Sequence, residues 1–277
     1  MKRIVTIQDI SCLGKCSLTV ALPIISAMGV EAAVIPTAVL STHTMFTGFT
    51  FRDLTDDIIP IIDHWEKEGF DFSAVYTGYL GSFRQLEIVS SVFDLYKDKN
   101  ALILVDPVMA DNGALYKGFT PEFVKSMAKL CAKADIVVPN ITEASFMLDM
   151  PYREKYDEAY IKDMLKGLCG LGAKVAVLTG VSFEEEKLGV MSYDSRTGEF
   201  FSYYREKIPV VFHGTGDVFA SAFLGALMND KGTENSLKVA VDYTVKCIAE
   251  TLADPNHNRY GVDFEKVIPY LIDRLNK

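Results

Sequence analysis

The run His213-Gly214-Thr215-Gly216-Asp217 sets a carboxylate directly behind a glycine turn and ahead of the small, apolar stretch Val218–Leu227. Glycines let backbone amides come close to a ligand. A helix start adds unpaired N–H groups and the positive end of its dipole, which suits negative charge on a phosphate. Asp217 has two uses in such a place. It can cap the helix, and standing alone the pattern favours that use. It can also act as a general base on a hydroxyl while the amides of Gly214, Thr215 and Gly216 hold a transferring phosphoryl group. No GxxxxGK[ST] is present, which excludes a P-loop NTPase, and no GxGxxG follows the first apolar run, which argues against a dinucleotide oxidoreductase.

Three more polar clusters sit behind apolar runs. Asp106-Pro107-Val108-Met109-Ala110-Asp111-Asn112-Gly113 follows Ala101–Val105, Pro139-Asn140-Ile141-Thr142-Glu143 follows Asp135–Val138, and Thr179-Gly180 ends Lys174–Leu178. Carboxylates at the C-terminal ends of parallel strands point into the crevice where ligands bind. Asp111 and Glu143 are hard oxygen donors of the kind magnesium takes. Each cluster also has a local use. Asp106-Pro107 can be a plain turn, Asn140 or Thr142 can cap the next helix with Glu143 in its first turn, and Thr179-Gly180 can be a strand-terminal turn.

The elements that must position these groups can be read from apolar spacing. Arg3–Ile7, Ala32–Leu40, Ala74–Tyr79, Ala101–Val105, Asp135–Val138 and Lys174–Leu178 are short apolar runs without clean alternation, as in strands covered on both faces. Cys16–Met28, Asp53–Glu68, Ser82–Lys97, Thr120–Lys133 and Asp157–Leu171 are long enough for helices between them. This repetition predicts a parallel sheet with right-handed crossovers. Leu188–Tyr193 and Glu199–Tyr204 flank a turn-rich segment and read as an antiparallel hairpin, followed by helices at Asp217–Met228, Ser236–Asp254 and Phe264–Leu275. Pro23 kinks the first helix or marks its start. With no linker or repeat, a single α/β domain over residues 1–277 is expected.

The 277 residues are 49% apolar and 23% charged, which suits a folded core and excludes a disordered chain. A net charge of −9 disfavours nucleic-acid partners. The apolar run after Met1-Lys2-Arg3 is broken at Gln8 and Asp9, unlike a secretory leader, and no run reaches the ~18 apolar residues of a membrane span. The five cysteines, Cys12, Cys16, Cys131, Cys169 and Cys247, form no CxxC pair, so reduced thiols and a cytoplasmic setting are expected.

The three clusters, in the order DPVM, Asn-x-x-Glu and Gly-Thr-Gly-Asp-Val-Phe-Ala-Ser, resemble the ribokinase-like superfamily of small-molecule kinases. That resemblance implies a three-layer α/β/α sandwich with a mostly parallel sheet and an antiparallel edge hairpin. It makes Asp217 the catalytic base, Gly214 to Gly216 the anion hole, and Asp106, Asn140, Glu143, Thr179 and Gly180 the ATP side, with magnesium near Asp111 and Glu143 and a monovalent-cation requirement left open. Within the superfamily, Ile7-Gln8 with Gly14 downstream, Ser41-Thr42-His43-Thr44, and Thr77-Gly78-Tyr79-Leu80-Gly81-Ser82 are similar to the vitamin B6 kinase branch. The branch implies Thr44 and Tyr79 as substrate contacts and a homodimer. Three positions depart from it. Asp9 stands where the branch usually has Ser, so either Asp9 meets a protonated pyridinium or Ser11 takes over. Ala110 replaces a Gly, and His213 precedes the first Gly of the turn. The expected reaction is phosphoryl transfer from ATP to the 5′-hydroxymethyl of a B6 vitamer, with Asn112–Phe119 as a lid. Alternatives are a hydroxymethylpyrimidine (phosphate) kinase and a non-catalytic vitamin- or nucleotide-binding protein.

Overall fold

A computed structural model describes residues 1–277. In chain order the elements are β1 (Arg3–Ser11), α1 (Leu18–Ala27), β2 (Glu31–Leu40), β3 (Phe51–Asp53), α2 (Ile58–Glu68), β4 (Ala74–Thr77), α3 (Phe83–Asp98), β5 (Leu102–Val105), β6 (Ala110–Asp111), β7 (Ala114–Leu115), α4 (Pro121–Cys131), β8 (Ile136–Val137), α5 (Ile141–Met147), α6 (Glu158–Leu171), β9 (Val175–Val181), β10 (Lys187–Asp194), β11 (Glu199–Glu206), α7 (Thr215–Met228), α8 (Gly232–Ala253) and α9 (Phe264–Asn276). They divide into two compact units, Met1–Ser73 with Ile208–Lys277, and Ala74–Lys207.

In the first unit β1 and β2 are parallel, and β3 adds antiparallel to β2 through Ala38↔Asp53. β1 is almost wholly buried, which explains its unbroken apolar reading. α7 packs between α1 and α8. Its small residues allow this: a Cβ on Gly225 would run into the Met28 side chain, while Phe223 is completely enclosed. Burying such a side chain is worth about 1.5–3 kcal/mol, so the helix that carries Asp217 is anchored by its own apolar run. Pro23 lies inside α1 instead of marking its start.

In the second unit β4, β5, β8 and β9 are parallel, and β9, β10 and β11 continue antiparallel. The helices start where capping chemistry dictates. Ser82, Thr120 and Asp157 accept from the amides of Gln85, Phe123 and Tyr160, and Pro121 occupies the first turn of α4. The α/β class with a mostly parallel sheet and an antiparallel hairpin is the one expected.

Several boundaries differ from expectation. The segment expected to open α2 at Asp53 instead ends β3, and the Asp53 carboxylate accepts from the Thr55 amide at 2.8 Å to start a single 3-10 turn. Asn112–Phe119, expected as a lid, begins with a hairpin turn. Asn112 and Gly113 both lie in the left-handed region, at φ 50° and 76°, and close the β6–β7 hairpin as an Asn-Gly turn does. Thr179-Gly180 is not a strand-terminal turn. Pairing with β10 carries β9 on to Val181, and the register jumps from Val190↔Thr179 to Gly189↔Val181. Gly180, at φ 72°, is the residue left over, which makes it a glycine bulge.

Candidate active site

The first unit holds the expected base and the expected acceptor contacts Asp9, Ser11 and Thr44. Along β1 the register with β2 slips between Gln8↔Pro36 and Ile10↔Val39, leaving an extra β2 residue opposite Asp9. Pro36 has no N–H to continue the ladder there. Asp9 is only 6% exposed, and its Oδ1 accepts from the Ser17 hydroxyl at 2.7 Å. Burial pushes its pKa up, and the Ser17 bond opposes this in part.

Asp217 lies in the first turn of α7, whose N-cap is Gly214 at φ 75° with no side-chain cap. The capping use is therefore not taken up. The Ser17 backbone favours the ionised form of Asp217. Asp217 keeps part of its surface open to solvent, yet the protein packed around it, with Asp9 nearby, pushes its pKa up to about 7. A Cβ on Gly214 would strike the Lys15 carbonyl, so only glycine permits this close approach. The first amides of α7, from Thr215 to Asp217, have no intrahelical acceptor.

The connection that supports both carboxylates runs through Gly14, Lys15, Cys16 and Ser17, between β1 and α1. Lys15 Nζ reaches Asp263 and Glu265, each at 2.8 Å, and so ties this connection to the start of α9. The Cys16 thiol contacts Ser11 and Ser17, and burial with Asp217 and Asp9 nearby pushes it up to about 12, so it stays neutral. Ser11 is 1% exposed. Thr44 is exposed, and beside it the rings of His43 and His213 lie 4.7 Å apart. Burial, with His213 adding to it, pushes the His43 pKa down, and its Nδ1 accepts from the Met45 amide at 3.0 Å.

The second unit holds the expected nucleotide side. Asp106 follows β5, buried, with its amide donating to the Thr77 carbonyl at 2.9 Å. Asn140 and Glu143 form a reciprocal capping box at the start of α5. The box also reaches outward. Asn140 Nδ2 donates to the Ala110 carbonyl at 2.8 Å, and Glu143 Oε1 accepts from the Met109 amide at 3.0 Å. The β6–β7 turn is held by the same helix, through the Gly113 amide to Thr142 Oγ1 at 3.1 Å. Burial pushes Glu143 up to about 7 against its backbone hydrogen bonds, and the nearby Asp111 adds to the rise. Asp111 is half-buried and accepts from the Asn112 amide. Thr179 forms a bridge to Asn140 and donates its amide to the Pro139 carbonyl. Tyr79 is half-buried with its ring 5.6 Å from that of Phe119, which in turn stacks on Phe123 at 4.3 Å.

Asp9 and Asp217 are thus brought together in one unit, and Asp111, Asn140, Glu143 and Thr179 in the other. Sequence reasoning did not find Ser17 or Lys15. Thr142 was read only as a possible cap, whereas its hydroxyl accepts from the Gly113 amide; Lys15 acts through partners far along the chain.

The family model described as phosphomethylpyrimidine kinase matches residues 21–262. The chain belongs to that family. A Bacteroides thetaiotaomicron structure, provisionally assigned as a phosphomethylpyrimidine kinase, is 39% identical with a TM-score of 0.94, covering 98% of this chain and 93% of its own. The same protein has been determined in an orthorhombic form with pyridoxal, at a TM-score of 0.92. The pyridoxal kinase of Lactobacillus plantarum has the same fold, with a TM-score of 0.89 and 29% identity over 99% of this chain and 97% of that one. Among curated proteins, the Arabidopsis thaliana pyridoxal kinase is 26% identical over 273 residues, 94% of this chain and 85% of its own length. The chain is accordingly a small-molecule kinase, with the fold of the pyridoxal kinases.

Proposed function

We propose that this kinase transfers the γ-phosphoryl group of ATP to the 5′-hydroxymethyl of a vitamin B6 vitamer. The observation that carries the reading is Asp217: a carboxylate poised near pH 7, unused as a cap, at the amide-rich start of α7. A relative 39% identical over almost the whole chain, determined with pyridoxal, supports the vitamer as acceptor.

Phosphoryl transfer is chiefly positioning and electrostatics. In this reading Asp217 orients the acceptor hydroxyl and takes its proton as the O–P bond forms. The amides of Thr215, Gly216 and Asp217 stabilise the charge on the transferring group. Tyr79 offers an aromatic face to a flat heteroaromatic ring, Thr44 a hydroxyl, and buried Asp9 or Ser11 the contact with the ring nitrogen. Asp106, Thr179 and Gly180 serve the nucleotide.

Magnesium needs few protein ligands, since it keeps waters and takes phosphate oxygens. Asp111, half-buried beside Glu143, fits that requirement. Both Glu143 oxygens accept from backbone amides, so this residue serves a cation through water. When bound, the ion supplies charge neutralisation on the β- and γ-phosphate oxygens. A homodimer and a cytoplasmic setting complete the proposal; sedimentation and fractionation test them.

The family's own description favours a second reading, a hydroxymethylpyrimidine (phosphate) kinase, whose acceptor is also a flat ring bearing a hydroxymethyl group. ADP release with pyridoxal, pyridoxine and pyridoxamine against hydroxymethylpyrimidine and its phosphate separates the two. A vitamer kcat/KM at least tenfold above both pyrimidines is expected; the reverse order overturns the B6 assignment. No ADP release with any acceptor would leave a binding protein.

A further inference from the structure

Ser17 accepts two local costs. Its backbone sits at φ 51°, ψ −132°, a region that L side chains rarely adopt. It is the N-cap of α1, yet its hydroxyl makes no cap hydrogen bond. A serine in that place ordinarily accepts from an amide of the first turn. Strained backbone of this kind persists only where surrounding contacts hold it, and it gathers at functional sites. The contact that the structure shows is with a buried carboxylate: the hydroxyl donates to Asp9 Oδ1 at 2.7 Å. The unusual backbone directs the Oγ away from the helix it would cap and toward the acid on β1.

We infer that Ser17 is a positioning residue for the acceptor side of the site, its hydroxyl setting the Asp9 carboxylate. The kinetic form of this inference rests on the B6-kinase reading. A structural serine at a helix start would be replaced by glycine without loss, because glycine takes φ 51° freely. A positioning serine would not, because glycine has no hydroxyl for Asp9. Both Ser17→Gly and Ser17→Ala keep the backbone N–H, so the two variants isolate the hydroxyl.

The test is a double-mutant cycle between Ser17→Ala and Asp9→Ala, with Ser17→Gly alongside, read by ADP release and by melting temperature. Expected is a rise in vitamer KM of about tenfold in both Ser17 variants, with kcat within about threefold and ATP KM within about twofold; tenfold corresponds to about 1.4 kcal/mol. In the Asp9→Ala background the Ser17→Ala effect falls below about twofold, because the oxygen that accepts from its hydroxyl is gone. Ser17→Gly melts above Ser17→Ala, since it relieves the backbone. Full vitamer affinity in Ser17→Gly, or an undiminished Ser17→Ala effect without Asp9, overturns the inference. If wild type shows no vitamer-dependent ADP release, the functional reading fails, and the same cycle in melting temperature still decides whether Ser17 and Asp9 are coupled.

Discussion

Asp217 concentrates the chemistry at the residue scale. Replacing it by Asn removes the base while keeping shape, so kcat should fall roughly a hundred- to ten-thousandfold, the usual worth of a positioned base, with ATP KM nearly unchanged. Near-normal turnover would remove Asp217 from that role. Its pKa of about 7 also makes kcat/KM in the wild type fall below neutral pH as the base becomes protonated. Stability carries the opposite sign. The unfolded carboxyl titrates near 3.8 and the folded one near 7, so the fold binds more protons between these values. The stabilisation from this group is full below about pH 3.8 and is lost as pH rises through about 7. Asn does not ionise, so the melting temperature of Asp217→Asn relative to wild type should be higher at pH 8 than at pH 5. A pH-independent difference would mean that the carboxyl is not raised.

At the scale of elements, α5 acts as a clamp. Its capping box holds its own start and also grips the backbone of Met109 and Ala110 through Glu143 and Asn140. A Gln at 143 points a donor at an amide donor and forfeits one of these bonds. Glu143→Gln should therefore cost about 1–3 kcal/mol of stability, the usual penalty for a buried donor left unpaired. It should raise ATP KM more than vitamer KM, because Asp106 and Asp111 flank the gripped segment. Equal changes in both constants would separate α5 from the nucleotide side. The β6–β7 turn gives a second check. A Cβ on Gly113 would lie 2.8 Å from the Tyr152 ring at a φ of 76°, so Gly113→Ala should lower the melting temperature and displace Tyr152.

For the whole molecule, the −9 charge poses a specific problem, since an acidic protein must hold ATP. The proposed solution is local: backbone amides at a helix start, with magnesium near Asp111. Chelation by EDTA should abolish ADP release and added Mg2+ should restore it; turnover that survives chelation would refute the metal assignment. All five cysteines are free, and none of the helices is long and apolar enough to cross a membrane. A reducing agent should leave the melting temperature unchanged, and a drop on its addition would reveal a disulfide.

What the sequence determined by itself was everything carried by short-range chemistry. Asp217 behind Gly214 and Gly216, the Asn140–Glu143 box, the hairpin of β10 and β11 and the parallel strands were all legible, because capping, turn and apolar patterns act over a few residues. Tertiary structure alone decided how those groups are used. Asp217 is left free of the cap because Gly214 starts α7, where a connection from the start of the chain packs against the turn. Gly180 became a bulge only because β10 pairs back across it. Ser17 took a backbone shape that its own residue type disfavours, and no local pattern announces a conformation whose compensation comes from a carboxylate on another element.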